Sequence, residues 1–271
     1  MKQVLATITA ALALAVPQIV QAGAFANSDI SFDTLEIIPT AGALDLVADW
    51  ELAALAEARN SLGEFDADFD QSFIGGTVSA DAVVTWASGA GAAGAPTFFP
   101  PDFNIGGTAN SLVDLPDKFS KSADSLGNAS LINGFTVTGG TGLVDVDFSV
   151  HIDGFLDLLT TEHGLWAETE VIFTLEIFDL LPDIGGNPQD QIVFSFNRLE
   201  RIGPDDSYHE DFDLTLDATR SVNYDEFYFF IVEVDSESAG EVPAPPVVAL
   251  MMAGLIGFVR FRKGGSMRRL A

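Results

Sequence analysis

Apolar and polar residues alternate with period two through most of the stretch from residue 28 to residue 238, the pattern of strands with one buried and one wet face. The cleanest example is Val144-Asp145-Val146-Asp147-Phe148-Ser149-Val150-His151-Ile152-Asp153, where even positions are apolar and odd positions polar. Residues 212–217, 65–69, 78–86, 169–177 and 192–196 repeat the theme. Residues 228–234 are largely apolar on both faces, which predicts a central strand. Gly-Gly pairs at 75–76, 106–107, 139–140 and 185–186 predict turns between these runs. Many antiparallel strands with one wet face imply a mainly β body: two packed sheets, an antiparallel β-sandwich or jelly-roll-like domain.

Three stretches break the pattern. Residues 49–60 set Leu52 and Leu55 among Ala and Glu, which favours a helix, although Ala48, Trp50 and Leu52 also alternate. Residues 155–159 predict a short helical turn between strands. The Ala/Gly run 89–95, followed by Pro96 and Pro100-Pro101, reads as a loop or flexible edge. Gly89-Ala90-Gly91-Ala92-Ala93-Gly94 formally fits the dinucleotide motif G-x-G-x-x-G. That motif needs a helix directly after it, and the prolines argue against one.

The two ends differ in kind from the middle. Residues 1–26 have the three parts of a secretory signal: Lys2, an apolar run over 4–16, and the small-x-small sites Ala22-Gly23-Ala24 and Ala24-Phe25-Ala26. Polar Asn27-Ser28-Asp29 follows, so cleavage is expected after Ala26 by signal peptidase, following export by the Sec machinery. The C-terminal end reads Val242-Pro243-Ala244-Pro245-Pro246, then an apolar run over 247–259, then Arg260, Arg262 and Lys263 with Arg268 and Arg269 behind. The prolines keep the chain extended. The apolar run predicts a single membrane helix of about 20 Å, short against a hydrocarbon core of about 30 Å. The basic residues hold the far end on the cytoplasmic side.

This C-terminal arrangement resembles the PEP-CTERM sorting signal, the mark of exosortase substrates. The resemblance covers about the last 30 residues and rests on the Pro motif, the apolar run and the basic end together. Ala244 stands where the family has a central Glu. The resemblance implies sorting and processing by an exosortase, a membrane cysteine protease of Gram-negative bacteria often encoded with exopolysaccharide and biofilm systems. It implies a strand-rich ectodomain and carries no catalytic residues. The expected organisation is therefore a signal over 1–26, an acidic β-rich extracytoplasmic domain over 27–241, and a sorting tail over 242–271. The protein would start as a membrane-anchored precursor and end at the cell surface or outside the cell. Leu181-Pro182-Asp183-Ile184-Gly185 is superficially like the Gram-positive sortase motif, but Ile184 replaces the required Thr.

Charge sharpens this picture. Of 12 basic residues only six lie in 27–241, against all 40 acidic ones, a formal net charge of −34 for that span. Such a body repels nucleic acid and anionic lipid and attracts cations. Cysteine is absent, so no disulfide staples the fold. The chain has 22 Phe against 3 Trp and 3 Tyr, which points to aromatic packing in a core before aromatic binding surfaces.

Candidate chemistry is sparse. Asp66-Ala67-Asp68-Phe69-Asp70 begins like a calcium loop, yet Gln71 and Thr77 stand where an EF-hand needs Gly and Glu. The alternation instead reads these carboxylates as the wet face of a strand. Asp66, Asp68, Asp70, Asp145 and Asp147 are nonetheless the first candidates for calcium, the one cofactor the sequence suggests, though none is required. Asp205-Asp206 with Glu210-Asp211 form a second acidic candidate. His151, His163 and His209 have no metal-ligand spacing. Trp86 is expected in the core. Trp50 and Trp166 are the only Trp candidates for sugar stacking, and core is favoured for them too. No catalytic residue can be named. The expected function is that of a non-enzymatic surface or matrix protein. The alternative is a carbohydrate-binding protein that tethers exopolysaccharide, and behind it a glycosidase.

Overall fold

The computed structural model describes residues 23–47, 49–95, 105–116, 121–161, 164–179 and 191–243. Among them the chain is almost wholly strand, and no helix occurs. One sheet runs in the spatial order β12 (Ser207–Asn223), β9 (Leu143–Thr160), β1 (Ala24–Pro39), β7 (Gly106–Leu115), β6 (Ala87–Ala95), β5 (Gly76–Val84). The other runs β11 (Gln191–Ile202), β10 (Trp166–Asp179), β13 (Phe227–Val242), β8 (Lys121–Thr138), β3 (Glu51–Asn60), β4 (Phe65–Ser72), with β2 (Ala43–Leu46) also beside β8. Every pairing is antiparallel. The two sheets face each other as a sandwich. The largely apolar run 228–234 lies in β13, an interior strand, as its pattern predicts.

The period-two pattern sets which side chains turn inward. In β9 Val144, Val146, Phe148, Val150 and Ile152 are buried, while Asp145, Asp147 and their polar neighbours face water. The core is thick where aromatic rings meet across it. Phe32 of β1 packs edge-on against Phe173 of β10 at 5.7 Å between centroids, and Phe148 of β9 against Phe135 of β8 at 6.3 Å. Elsewhere it is thin. β3 turns Ala54, Ala56 and Ala58 inward opposite β6. A methyl added at Gly89 or Gly91 of β6 would collide with the carbonyl oxygen of Leu126 or Asn128, and one at Gly127 of β8 with that of Ala90. Facing backbones therefore touch here, far closer than the roughly 10 Å usual between packed sheets.

This thin region corrects two expectations. Within residues 49–60, Glu51–Asn60 form strand β3, and none of the stretch is a helix, because Ala side chains serve the close approach while β8 supplies the ladder. Residues 89–95 form strand β6, not a loop, because only Gly and Ala fit between backbones that touch. Residues 155–159 are likewise not a helical turn but the continuation of β9, paired with β1 and β12. Gly75–Gly76 and Gly139–Gly140 lie at turns; Gly106 and Gly107 instead open strand β7. The pair at 185–186 falls outside the described residues.

Five hydroxyls sit inside the core between the central strands. Ser28 Oγ lies 2.9 Å from Ser111 Oγ and 2.8 Å from Ser236 Oγ, and Ser111 Oγ lies 2.8 Å from Ser238 Oγ. Thr169 Oγ1 donates to Ser28 Oγ at 2.6 Å. Ser236 and Ser238 also lie within hydrogen-bonding distance of the backbone carbonyls of Ser28 and Ser111. Each group has partners, so the desolvation cost of burial is met by bonds that tie β1 and β7 to β10 and β13.

Candidate functional site

A hollow of about 460 Å³ lies on the outer face of the sheet containing β3, β8, β13 and β10. Strand register builds it. One row across the strands reads Arg59, Asp124, Ala239, Glu168, Arg201. The small side chain of Ala239 leaves the floor open, and an ion pair stands on either side: Arg59 with Asp124, and Arg201 with Glu168 at 3.2 Å. The next row reads Glu57, Leu126, Glu237, Glu170. Glu170 and Glu237 are direct cross-strand neighbours of like charge. Burial pushes the Glu237 carboxyl above its usual range, and Glu170 adds to the effect. One row further, burial pushes Asp235 up to about 6, against the hydrogen bond from Asn128 Nδ2 at 2.6 Å; Glu233 and Glu237 raise it further. The hollow thus offers many oxygen acceptors of negative sign with two guanidinium groups on its rim. Its acceptors suit hydroxyl-rich ligands. The alternation of Glu168-Thr169-Glu170 and Glu233-Val234-Asp235-Ser236-Glu237 marks these acids as one wet face. Their meeting across strands depends on register, which no single segment encodes.

Asp66, Asp68 and Asp70 stand on edge strand β4, beside β3, and each points at the neighbouring sheet. Asp66 Oδ2 accepts the Val83 N–H at 2.9 Å, Asp68 Oδ2 the Asp81 N–H at 3.3 Å, and Asp70 Oδ2 the Ser79 N–H at 3.2 Å. Glu64 Oε2 extends the series with the Thr85 N–H at 3.0 Å. The Asn60 amide first, then Thr85, hold the Glu64 carboxyl below its usual range. The second oxygens of Asp68 and Asp70 accept the N–H groups of Phe69 and Gln71, both at 3.0 Å. A staircase of carboxylates thus occupies N–H groups on the rims of both β5 and β4, which removes the exposed donors that make sheet edges sticky. The other lateral seam is closed by Arg220, whose Nη2 donates to the carbonyls of Ile192 and Val193 at 2.9 and 3.1 Å, and by Phe196 against Phe212 at 5.1 Å.

Asp145 and Asp147 lie on the outer face of the other sheet and are not brought to Asp66, Asp68 and Asp70. They accept hydrogen bonds from Ser221 and Thr219, each at 2.6 Å. Among the described residues no group of three or more His, Asp or Glu is placed to hold a metal ion. Asp205 and Asp206 form the β11–β12 turn. Next along β12, Glu210 pairs with Arg198, and Asp211 with His209 at 3.3 Å.

His151 bridges two carboxylates, Nδ1 to Asp33 at 3.0 Å and Nε2 to Asp213 at 2.9 Å. Asp213 first, then Asp33, raise its pKa above the ordinary imidazole value. His163 lies outside the described residues. Trp50 is buried in the core against Phe230, so it is closed to any ligand. Trp86 packs against the core only in part: it sits in the β5–β6 turn at φ 78°, half-buried, with the Lys121 ammonium over its ring. Trp166 donates to Glu241 at 3.2 Å and carries the Arg201 guanidinium 4.3 Å above its ring, so one face is already stacked.

Of the sorting-motif residues, Val242 is the last of β13, 1 % exposed and paired with Lys121. The strand therefore continues one residue past the composition break at Glu241, and Pro243 is the first residue beyond it. Ala244 and Pro245, the apolar run 247–259, and Arg260, Arg262, Lys263, Arg268 and Arg269 lie outside the described residues. Among the described residues no helix is long and apolar enough to cross a membrane.

No family model, curated protein or solved structure matches the chain.

Proposed function

We propose that the chain is an exported, non-enzymatic surface or matrix protein. In this reading the Sec machinery and signal peptidase act on its N-terminal apolar segment, and an exosortase-type protease acts on its C-terminal tail. What supports this most is that both ends of the body leave the sandwich side by side. Gly23 donates its N–H to Thr161 Oγ1 at 2.6 Å, and four residues later Leu165 donates its N–H to the Glu241 carbonyl at 3.0 Å. An added methyl at Gly240 would touch the Ala24 Cβ at 3.4 Å. Two apolar segments that begin at one pole of a rigid body can enter one membrane together. The acidic sheet faces then project from the envelope, where like charge keeps them soluble.

Fractionating cells that express the whole chain, beside a form lacking 244–271, tests this. The expected result is a membrane-bound precursor for the whole chain and a soluble exported body for the short form. Retention of both in the cytoplasm overturns the reading. A second reading, carbohydrate binding that tethers exopolysaccharide, draws support from the hollow floored by Ala239 and Leu126, whose carboxylates can accept from sugar hydroxyls. Co-sedimentation with acidic and neutral polysaccharides, compared between the native chain and Glu170→Ala/Glu237→Ala, separates the two. Binding lost in the variant favours the second reading; no binding by either protein favours the first.

A further inference from the structure

The way β1 is seated decides which residues belong to the mature chain. β1 lies between β7 and β9, and its first three residues are paired on both sides: Ala24 with Leu115 and Thr160, Phe25 with Asp114 and Leu159, Ala26 with Val113 and Leu158. Ala24 and Ala26 are 2 % and 0 % exposed. Gly23 is fixed as well. Its N–H donates to Thr161 Oγ1, its carbonyl accepts the Thr161 N–H at 3.1 Å, and a methyl at Gly164 would come within 2.6 Å of that carbonyl. A cut after Ala26, the site expected from the polar residues that follow it, would remove four of these residues. The ends of β7 and β9 would lose their shared partner, and Val113, Leu115 and Leu158 would face water. A cut after Ala24 would take away Gly23 and its bonds with Thr161.

We infer that the N-terminal cut falls between Ala22 and Gly23, an inference that rests on the export reading above. Ala22 supplies the small residue directly before that bond, with the short aliphatic Val20 two positions earlier. The site also lies closer to the apolar run over 4–16 than a cut after Ala26 would. Hydrolysis of the Ala22–Gly23 amide by water leaves a carboxylate on Ala22 and an ammonium on Gly23. That ammonium keeps a proton to donate to Thr161 Oγ1, so the cut costs the sandwich none of its ladder. At the opposite terminus the same logic keeps Val242 in the mature chain, because it is buried and paired with Lys121.

The test is intact-mass analysis and N-terminal sequencing of the full chain exported from a Sec-competent bacterium, with Ala22→Leu in parallel. The expected N-terminus is Gly23, with an accumulation of uncut precursor at least several-fold higher in Ala22→Leu. An exported chain starting at Phe25 or Asn27, or unchanged processing of Ala22→Leu, overturns the assigned site and leaves export standing. A chain that keeps residues 1–22 and stays in the cytoplasm overturns the export reading, and the site with it.

Discussion

Replacing Asp66, Asp68 and Asp70 together with Ala tests what the carboxylate staircase contributes. The change removes five acceptor contacts, three to N–H groups of β5 and two to N–H groups of β4. These donors lie at the surface and can turn to water, so each bond counts near the lower end of the usual net value, about 0.5 kcal/mol. The sum, about 2.5 kcal/mol, is reduced because three like charges also disappear from a strongly acidic body, each worth a few tenths of a kcal/mol. A net loss of about 1–2 kcal/mol follows, which for a body of this size lowers Tm by roughly 2–8 °C. The triple Asn variant retains one side-chain carbonyl per position and is expected to fall between the two. Thermal melting by circular dichroism measures the loss, and amide hydrogen exchange locates it. The amides of Ser79, Asp81 and Val83 are expected to be protected in the native chain and to exchange at least tenfold faster in the Ala variant. Equal exchange in the two proteins would refute the staircase as a seal, even if Tm moved.

Three further outcomes are expected. Gly91→Ala drives a methyl into the Asn128 carbonyl across the sheet interface, so it should destabilise by about 3 kcal/mol or more, whereas Gly63→Ala, with open space around it but φ +84°, should cost only about 1 kcal/mol, both read from denaturant midpoints. His151 has a raised pKa, so its stabilising bridge to Asp33 and Asp213 is fully present below the unfolded value of about 6.5 and is lost as pH rises through the higher folded value; His151→Gln should therefore lower Tm at pH 5.5 and make little difference at pH 9. Sodium chloride should raise Tm through screening, while millimolar calcium at fixed ionic strength should add nothing, because the aspartates of β4 are engaged with backbone N–H groups and Asp145 and Asp147 with hydroxyls; a calcium-dependent step in Tm would reveal a cation site among the carboxylates.

By itself the sequence determined the mainly β body, the inward and outward faces of its strands, and the interior placement of 228–234. Those follow from period-two alternation, which is local: in β9 each residue's face is set by its parity, whatever strand lies alongside. What only the tertiary structure decided involves residues whose role depends on a neighbour far along the chain. The Ala/Gly run of β6 and the Ala-rich β3 look like loop and helix because Gly has low strand propensity and Ala high helix propensity. They become strands because two backbones meet there and nothing larger fits. Asp66, Asp68 and Asp70 read as a solvated strand face, and they do lie at the surface. Their carboxylates instead find the rim of β5, a partner set by how the two sheets stack. The hollow between Arg59–Asp124 and Glu168–Arg201 has the same origin, since its residues come from four strands whose register is fixed by pairings spread over the chain. The same holds for Ala24 and Ala26: they have the small side chains of a cleavage site, and only the pairing of β1 with β7 and β9 shows them as part of a sheet.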